Sequence, residues 1–172
     1  MAYHHVALVT HDMTATHEFY TQGMGFELVK VEKALTPSVG WAKHFFYDTG
    51  DDELMAFWEL HDETLPKDHS TAIATGLGLP QWTNHIAFGV ADESELETAR
   101  ARLLAAGHTV AEIDHHWCHS VYATDPNGIM VELCLTTQAF SAEDRALALA
   151  ALTSDELADE QPPIVTMHQP KN

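Results

Sequence analysis

The chain has 172 residues, a formal charge of −18 and 13 histidines. So acidic a chain lacks the basic surface that nucleic acid or an anionic membrane requires. No apolar run approaches the roughly 18 residues that span a bilayer. An apolar fraction of 45% that includes four Trp and seven Phe fits a folded core rather than a disordered chain. Met1-Ala2-Tyr3-His4-His5 has neither a basic n-region nor an apolar h-region, so no signal peptide is expected. Two cysteines, Cys118 and Cys134, do not make a disulfide framework; they read as buried thiols in a cytoplasmic protein.

In chain order, Tyr3 to Val9 reads as a short strand. Asp12 is a candidate cap for the helix that follows, which ends at Gly23 to Gly25. Phe26 to Val31 and Leu54 to Leu60 read as strands, with a strand carrying Trp41, Phe45 and Tyr47 between them. Those three aromatics read as core, with the wall of a pocket as the alternative. Residues 61–83, with Pro66, Gly76, Gly78 and Pro80, form a linker. The pattern then recurs. His85-Ile86-Ala87-Phe88 repeats His5-Val6-Ala7-Leu8, and Asp92 repeats Asp12. Leu96, Ala99, Leu103 and Ala106 follow at helical spacing, capped by Ser94 or Asp92 and stopped by Gly107. Thr109 to Ile113 is a strand, and Asp125-Pro126-Asn127-Gly128 predicts a hairpin turn between strands 118–124 and 129–135, with positive φ at Asn-Gly.

The fold class expected is therefore α+β, with two tandem βαβββ modules. Residues 1–60 are the first module, 61–83 the linker and 84–136 the second module. Residues 137–172 are a helical extension opened by Ser141, with an extended or frayed tail.

Side chains alternate between the faces of a strand. His5 shares its face with Ala7 and Val9, and His85 with Ala87 and Gly89, so each imidazole has small neighbours. Glu59 and Glu132 each sit inside an apolar strand, where a carboxylate is costly unless paired or bound to a cation. Two His with one or two carboxylates on convergent strands suit a divalent transition metal, and two His plus one carboxylate is the set used by non-haem Fe(II) oxygenases. His44, His61 and His69 have no repeat partner and read as surface residues.

As a set, His5-Val6-Ala7-Leu8, Phe57-Trp58-Glu59-Leu60, Asn84-His85-Ile86-Ala87-Phe88 and Tyr122 through Glu132 resemble the vicinal oxygen chelate superfamily. That superfamily includes glyoxalase I, extradiol ring-cleaving dioxygenases and bleomycin-resistance proteins. The resemblance implies that the two modules form an incomplete barrel around a metal site, with metal ligands at His5, His85 and Glu132 and with Glu59 at the fourth family position. Tyr122, ten residues before Glu132, resembles the Tyr that contacts substrate oxygen in extradiol dioxygenases. His4 and His116 are candidate proton carriers, with His115 and His119 nearby in sequence. The implied function is an Fe(II) dioxygenase that takes dioxygen and a catechol- or hydroquinone-like ring. Zn(II), Ni(II) and Mn(II) are alternative metals. A glyoxalase I-like lyase or isomerase is the alternative function, and a bleomycin-resistance-like binding protein the second. The scarcity of basic residues favours a neutral aromatic substrate over an anionic glutathione conjugate. A homodimer is implied by resemblance alone.

Overall fold

The computed structural model of the protein describes residues 3–50, 52–156 and 161–171. Strand β1 (His5–Thr10) leads to α1 (Met13–Glu18), which continues as a π-helical turn over Phe19–Gly23. β2 (Glu27–Leu35), β3 (Gly40–Gly50) and β4 (Glu53–Asp62) complete the first module. The second contains β5 (His85–Gly89), α2 (Glu93–Ala105), β6 (Val110–Asp114), β7 (Cys118–Thr124) and β8 (Met130–Thr136). Helix α3 (Ala142–Ala151) and strand β9 (Ile164–His168) follow.

The helix starts follow the expected chemistry. The Asp12 carboxylate accepts from the Ala15 N–H, and that of Asp92 from Glu95 N–H, each satisfying an orphan donor of the first turn. Beyond α2 the chain reverses at Gly107, whose φ of +89° a side chain would resist. Ser141 and Asp144 form a reciprocal capping box on α3.

The four-stranded sheet has the order β1-β4-β3-β2 and the five-stranded sheet β5-β8-β7-β6-β9. In each, the first strand of the module lies parallel to the last, and the other pairs are antiparallel. The tail does more than extend: its residues 164–168 pair with β6 as an edge strand. His168 Nε2 lies 2.6 Å from Glu112 Oε2, and Thr109 Oγ1 donates to Gln169 Oε1 at 2.9 Å.

The two modules share one core. Phe45, Tyr47, Met55 and Phe57 of the first sheet join Phe19 and Tyr20; Val121, Val131 and Leu133 of the second join Leu96 and Leu103. All belong to a single buried cluster, so the modules pack through their helix-bearing faces. The opposite faces, with His5 and Ala7 on one sheet and His85, Ala87 and Gly89 on the other, are exposed. The sheets therefore do not close into a barrel within one chain. Phe45 and Tyr47 are core, as their alternation suggested, while Trp41 stands half-exposed at the rim, stacked on His61 at 3.8 Å.

A buried polar knot ties the hairpin turn to the first module. Asp125 Oδ1 accepts the N–H groups of Asn127 and Ile129, both at 2.8 Å. Its Oδ2 accepts from Asn127 Nδ2 at 2.9 Å and from the Tyr20 hydroxyl at 3.2 Å. Only Gly128 of the turn takes positive φ; Asn127 spends its side chain on these contacts and on Thr16 Oγ1. Burial raises the pKa of Asp125, outweighing the hydrogen bonds that favour its charge. Asp125→Ala leaves several buried donors unpaired and should destabilise the fold by about 2–4 kcal/mol in denaturant unfolding. Tyr20→Phe, which removes one donor and leaves the rest of the knot intact, should cost about 1 kcal/mol.

Candidate metal centre

In the second sheet Glu132 lies directly across from Tyr122 on one side and Ala87 on the other. Residues paired this way share a face. Ser120 and Tyr122, two apart on β7, both reach the carboxylate. Ser120 Oγ donates to Glu132 Oε1 at 2.6 Å and Tyr122 Oη donates to the same oxygen at 2.9 Å. Glu132 is 5% exposed, and these two donors replace the water it has lost. Burial, followed by the hydrogen bond and charge of Glu132, raises the Tyr122 pKa, so its hydroxyl keeps its proton.

The other carboxylate oxygen is left for the open face. His85 Nε2 lies 3.1 Å from Glu132 Oε2. His85 Nδ1 is 2.9 Å from the Trp82 carbonyl, which can only accept, so Nδ1 carries the proton. In the neutral ring Nε2 is then a lone pair facing a carboxylate lone pair. This pairing fits a divalent cation: one imidazole nitrogen and one carboxylate oxygen, each oriented by a contact behind it.

His115 stands behind Tyr122. Its Nε2 is 3.0 Å from Tyr122 Oη, and because that hydroxyl donates to Glu132, His115 supplies the N–H. His116 goes elsewhere. Its φ of +70° breaks the strand alternation just before β7, and its Nε2 meets the Pro162 carbonyl at 3.3 Å. His119 projects from the helix-bearing face, 2.9 Å from Glu112 Oε1 and 3.2 Å from Glu93. Cys118 is buried and Cys134 half-buried; burial, with Cys134 close by, pushes the Cys118 thiol up to about 11.

On the first sheet His5 is exposed beside a group of aromatic rings. His4 lies one residue before β1, free of strand alternation, and its Nδ1 is 2.8 Å from His5 Nδ1. His44, expected at the surface, is 7% exposed. It shares the His5 face because it lies directly across from Trp58, and it stacks on that indole at 3.7 Å. Burial, with the nearby His5 charge, lowers its pKa. His61 is exposed, and His69 is partly covered by the ring of His11 at 4.2 Å.

Glu59 does not occupy the place that matches Glu132. The residue paired with Ala87 is Glu132, whereas the one paired with Ala7 is Ala56. Glu59 lies three residues further along β4, an odd offset that turns it to the helix-bearing face. There it meets Lys43 Nζ at 2.7 Å and His61 Nε2 at 3.1 Å. Burial would raise its pKa, but Lys43 and His61 more than offset this and lower it. The structure thus brings His85, Glu132, Tyr122, Ser120 and His115 together and leaves His5, with His4, on the other sheet. Among the described residues no three His, Cys, Asp or Glu side chains converge closely enough to hold a metal ion.

The family model of the Glyoxalase/Bleomycin resistance protein/Dioxygenase superfamily matches residues 2–133. The chain belongs to this superfamily. Its members are mostly enzymes and typically bind a divalent metal ion and small-molecule substrates. No curated protein matches the chain. Among solved structures, a glyoxylase/bleomycin resistance protein/dioxygenase domain from Frankia sp. EAN1pec is 17% identical, with a TM-score of 0.59, over 79% of this chain and 98% of that one. A lactoylglutathione lyase from Agrobacterium tumefaciens is 22% identical, with a TM-score of 0.53, over 78% and 92%. The fosfomycin resistance protein FosX from Listeria monocytogenes is 18% identical, with a TM-score of 0.52, over 84% and 98%. These likenesses are in fold. Among the described residues, no helix is long and apolar enough to cross a membrane.

Ser120→Ala should weaken Zn(II) or Fe(II) binding by about tenfold in a chelator competition, because the carboxylate loses an orienting donor, while Ser120→Thr keeps it. Glu59→Gln should leave that affinity unchanged. His119 makes a pH-dependent contribution. Burial lowers its pKa, but Glu93 and Glu112 outweigh this and raise it. A raised folded pKa adds stability that is fully present below the unfolded value near 6.5 and is lost as pH rises through the folded value. His119→Gln should therefore cost about 1 kcal/mol near pH 6 and progressively less toward pH 8, read from urea midpoints.

Proposed function

We propose that the protein is an Fe(II)-dependent extradiol-type dioxygenase acting on a catechol- or hydroquinone-like ring, with a site completed between two copies of the chain. The observation that carries the reading is the strand register. With Ala56 where a fourth carboxylate would stand, the protein offers two His and one carboxylate, the set that leaves room for both a chelating substrate and dioxygen. His5 of one copy would join His85 and Glu132 of the other, because both site-bearing faces turn outward from the shared core.

Fe(II) held there supplies the open positions and the electron transfer that dioxygen chemistry needs. The chain's own residues do the rest. Glu132 is held in one orientation by Ser120 and Tyr122. Tyr122 Oη receives the His115 N–H and donates to Glu132, so one lone pair remains to accept a ring hydroxyl. His115 is placed to take up or return a proton through that oxygen. His4, whose Nδ1 lies 2.8 Å from His5 Nδ1, is a second candidate proton carrier, on the first sheet. The small residues Ala7 and Ala87 leave room above the imidazoles. A glyoxalase-like lyase reading lacks its fourth ligand here.

Protein reconstituted anaerobically with Fe(II) should consume oxygen with one or more catechols or hydroquinones and yield a ring-cleaved chromophore. Tyr122→Phe should lower kcat about 100-fold. Metal binding at one per site with no oxygen uptake across the panel would instead support the lyase. Mixing inactive His5→Ala and His85→Ala proteins tests the shared site. Each mixed dimer carries one site with both ligands, so random exchange should restore about a quarter of wild-type activity. No recovery after confirmed exchange places the site elsewhere.

A further inference from the structure

The turn that joins β6 to β7 is held from outside the second module. The His115 N–H donates to the Cys118 carbonyl at 2.9 Å, and the His116 N–H to Asp114 Oδ1 at 2.7 Å. His116 has a φ of +70°, a left-handed conformation that disfavours a residue with a Cβ. With the backbone so turned, His115 Nε2 lies 3.0 Å from Tyr122 Oη. Segments beyond residue 133, where the family match ends, close on this turn from two sides. The Trp117 carbonyl accepts the N–H groups of Thr137 and Gln138 at 3.0 and 3.1 Å. At the start of β9, Ile164 pairs with Asp114, and the Pro162 carbonyl accepts from His116 Nε2 at 3.3 Å.

Strand β9 is itself held differently from the rest of its sheet. Among the described residues, none of β9 joins the buried core cluster, whereas β7 and β8 supply Val121, Val131 and Leu133 to it. Ile164, Val165 and Met167 are more than half exposed, on both faces of the strand. What docks β9 is its ladder to β6 and three polar ties: His168 to Glu112, Gln169 to Thr109, and Pro162 to His116. Glu112 is a common anchor, because it also takes the Arg100 guanidinium of α2 and His119 of β7. An edge strand held by ladder bonds and polar contacts, with little apolar burial, opens at a lower free energy than the core beside it.

We propose that β9 is a detachable strap that positions His115. Docked, it fixes the turn over residues 114–118 and keeps His115 Nε2 on Tyr122 Oη. Detached, it releases the turn and breaks that contact. Glu132 keeps its place in either state, because its donors Ser120 and Tyr122 stand on β7, which is paired with β8 independently of β9. His116 and β9 are thus positioning elements that act through His115. The consequence for chemistry rests on the reading of Tyr122 and His115 as the proton path of the aromatic-diol site; the conformational half is measured without turnover.

The test uses the full chain carrying Val165→Pro together with Thr166→Pro. Adjacent residues of an edge strand point their N–H groups in opposite directions, so one of the two prolines removes a bond to β6 and undocks the strand. Hydrogen exchange is read residue by residue. In wild type the hydrogen-bonded β9 amides and the His115 amide should open together, ahead of those in α2 and β8. In the proline variant exchange at His115 should rise by about tenfold or more, with α2 and β8 unchanged. Wild-type protection at His115 in that variant overturns the proposal, as does an equal loss in α2 and β8. Oxygen uptake by the Fe(II)-loaded protein reads the positioning. The proline variant should lower kcat about tenfold at unchanged KM, and should add nothing to the loss in His115→Gln. Multiplicative losses in the combined variant, the sign of general damage or of a weakened contact between copies, overturn it. If wild type takes up no oxygen with any catechol or hydroquinone, the aromatic-diol reading falls, and exchange at His115 alone decides the strap.

Discussion

The shared core of the two modules is the constraint on which the rest of the structure depends. Each strand has two faces, and in both sheets the larger side chains, such as Phe57 and Leu133, are committed to the cluster around Tyr20 and Leu103. Once those faces meet, the faces with His5 and His85 must turn outward. The Asp125 knot and Arg102, whose guanidinium bonds the Gly23 and Met24 carbonyls, hold the modules in that relation. The outward-turned sheet faces are a consequence of this packing.

Within the second sheet, one buried carboxylate organises the chemistry. Glu132 is costly to bury, and its two oxygens are treated differently. One is saturated by Ser120 and Tyr122; the other lies 3.1 Å from His85 Nε2, whose ring is oriented by the Trp82 carbonyl. This asymmetry fixes the orientation of the carboxylate and commits the Tyr122 proton inward. His115 completes the line from the turn. The same turn is fastened to the C-terminal segment through His116, so the extension beyond the family fold is mechanically joined to the site.

Much of this was legible in the residues. Repetition of His-x-Ala on β1 and β5 located both imidazoles, whereas the register of β7 against β8 was needed to set Ser120 and Tyr122 on the face of Glu132. Asp12, Asp92 and Gly107 marked helix ends because their chemistry is local. Glu59 was misleading for a physical reason. Counting along a strand does not reveal how it pairs, and an odd offset from Ala56 moves a side chain to the other face. His116 and His115 exchanged places because a positive φ reversed the alternation at the turn. His44 had no repeat partner, and only its pairing with Trp58 buries it. The Trp82 carbonyl, a backbone group, left no signal in residue type.

The amino-acid sequence by itself determined the two βαβββ modules and the alternating faces of their strands, since periodicity, caps and turns act over a few residues. Tertiary structure decided which faces meet, which glutamate stands beside which histidine, and that the tail returns as β9. Those outcomes depend on strand register and on core packing between segments more than a hundred residues apart, as between Tyr20 and Asp125. No local pattern encodes them, because the energy that selects them arises only when the two modules come together.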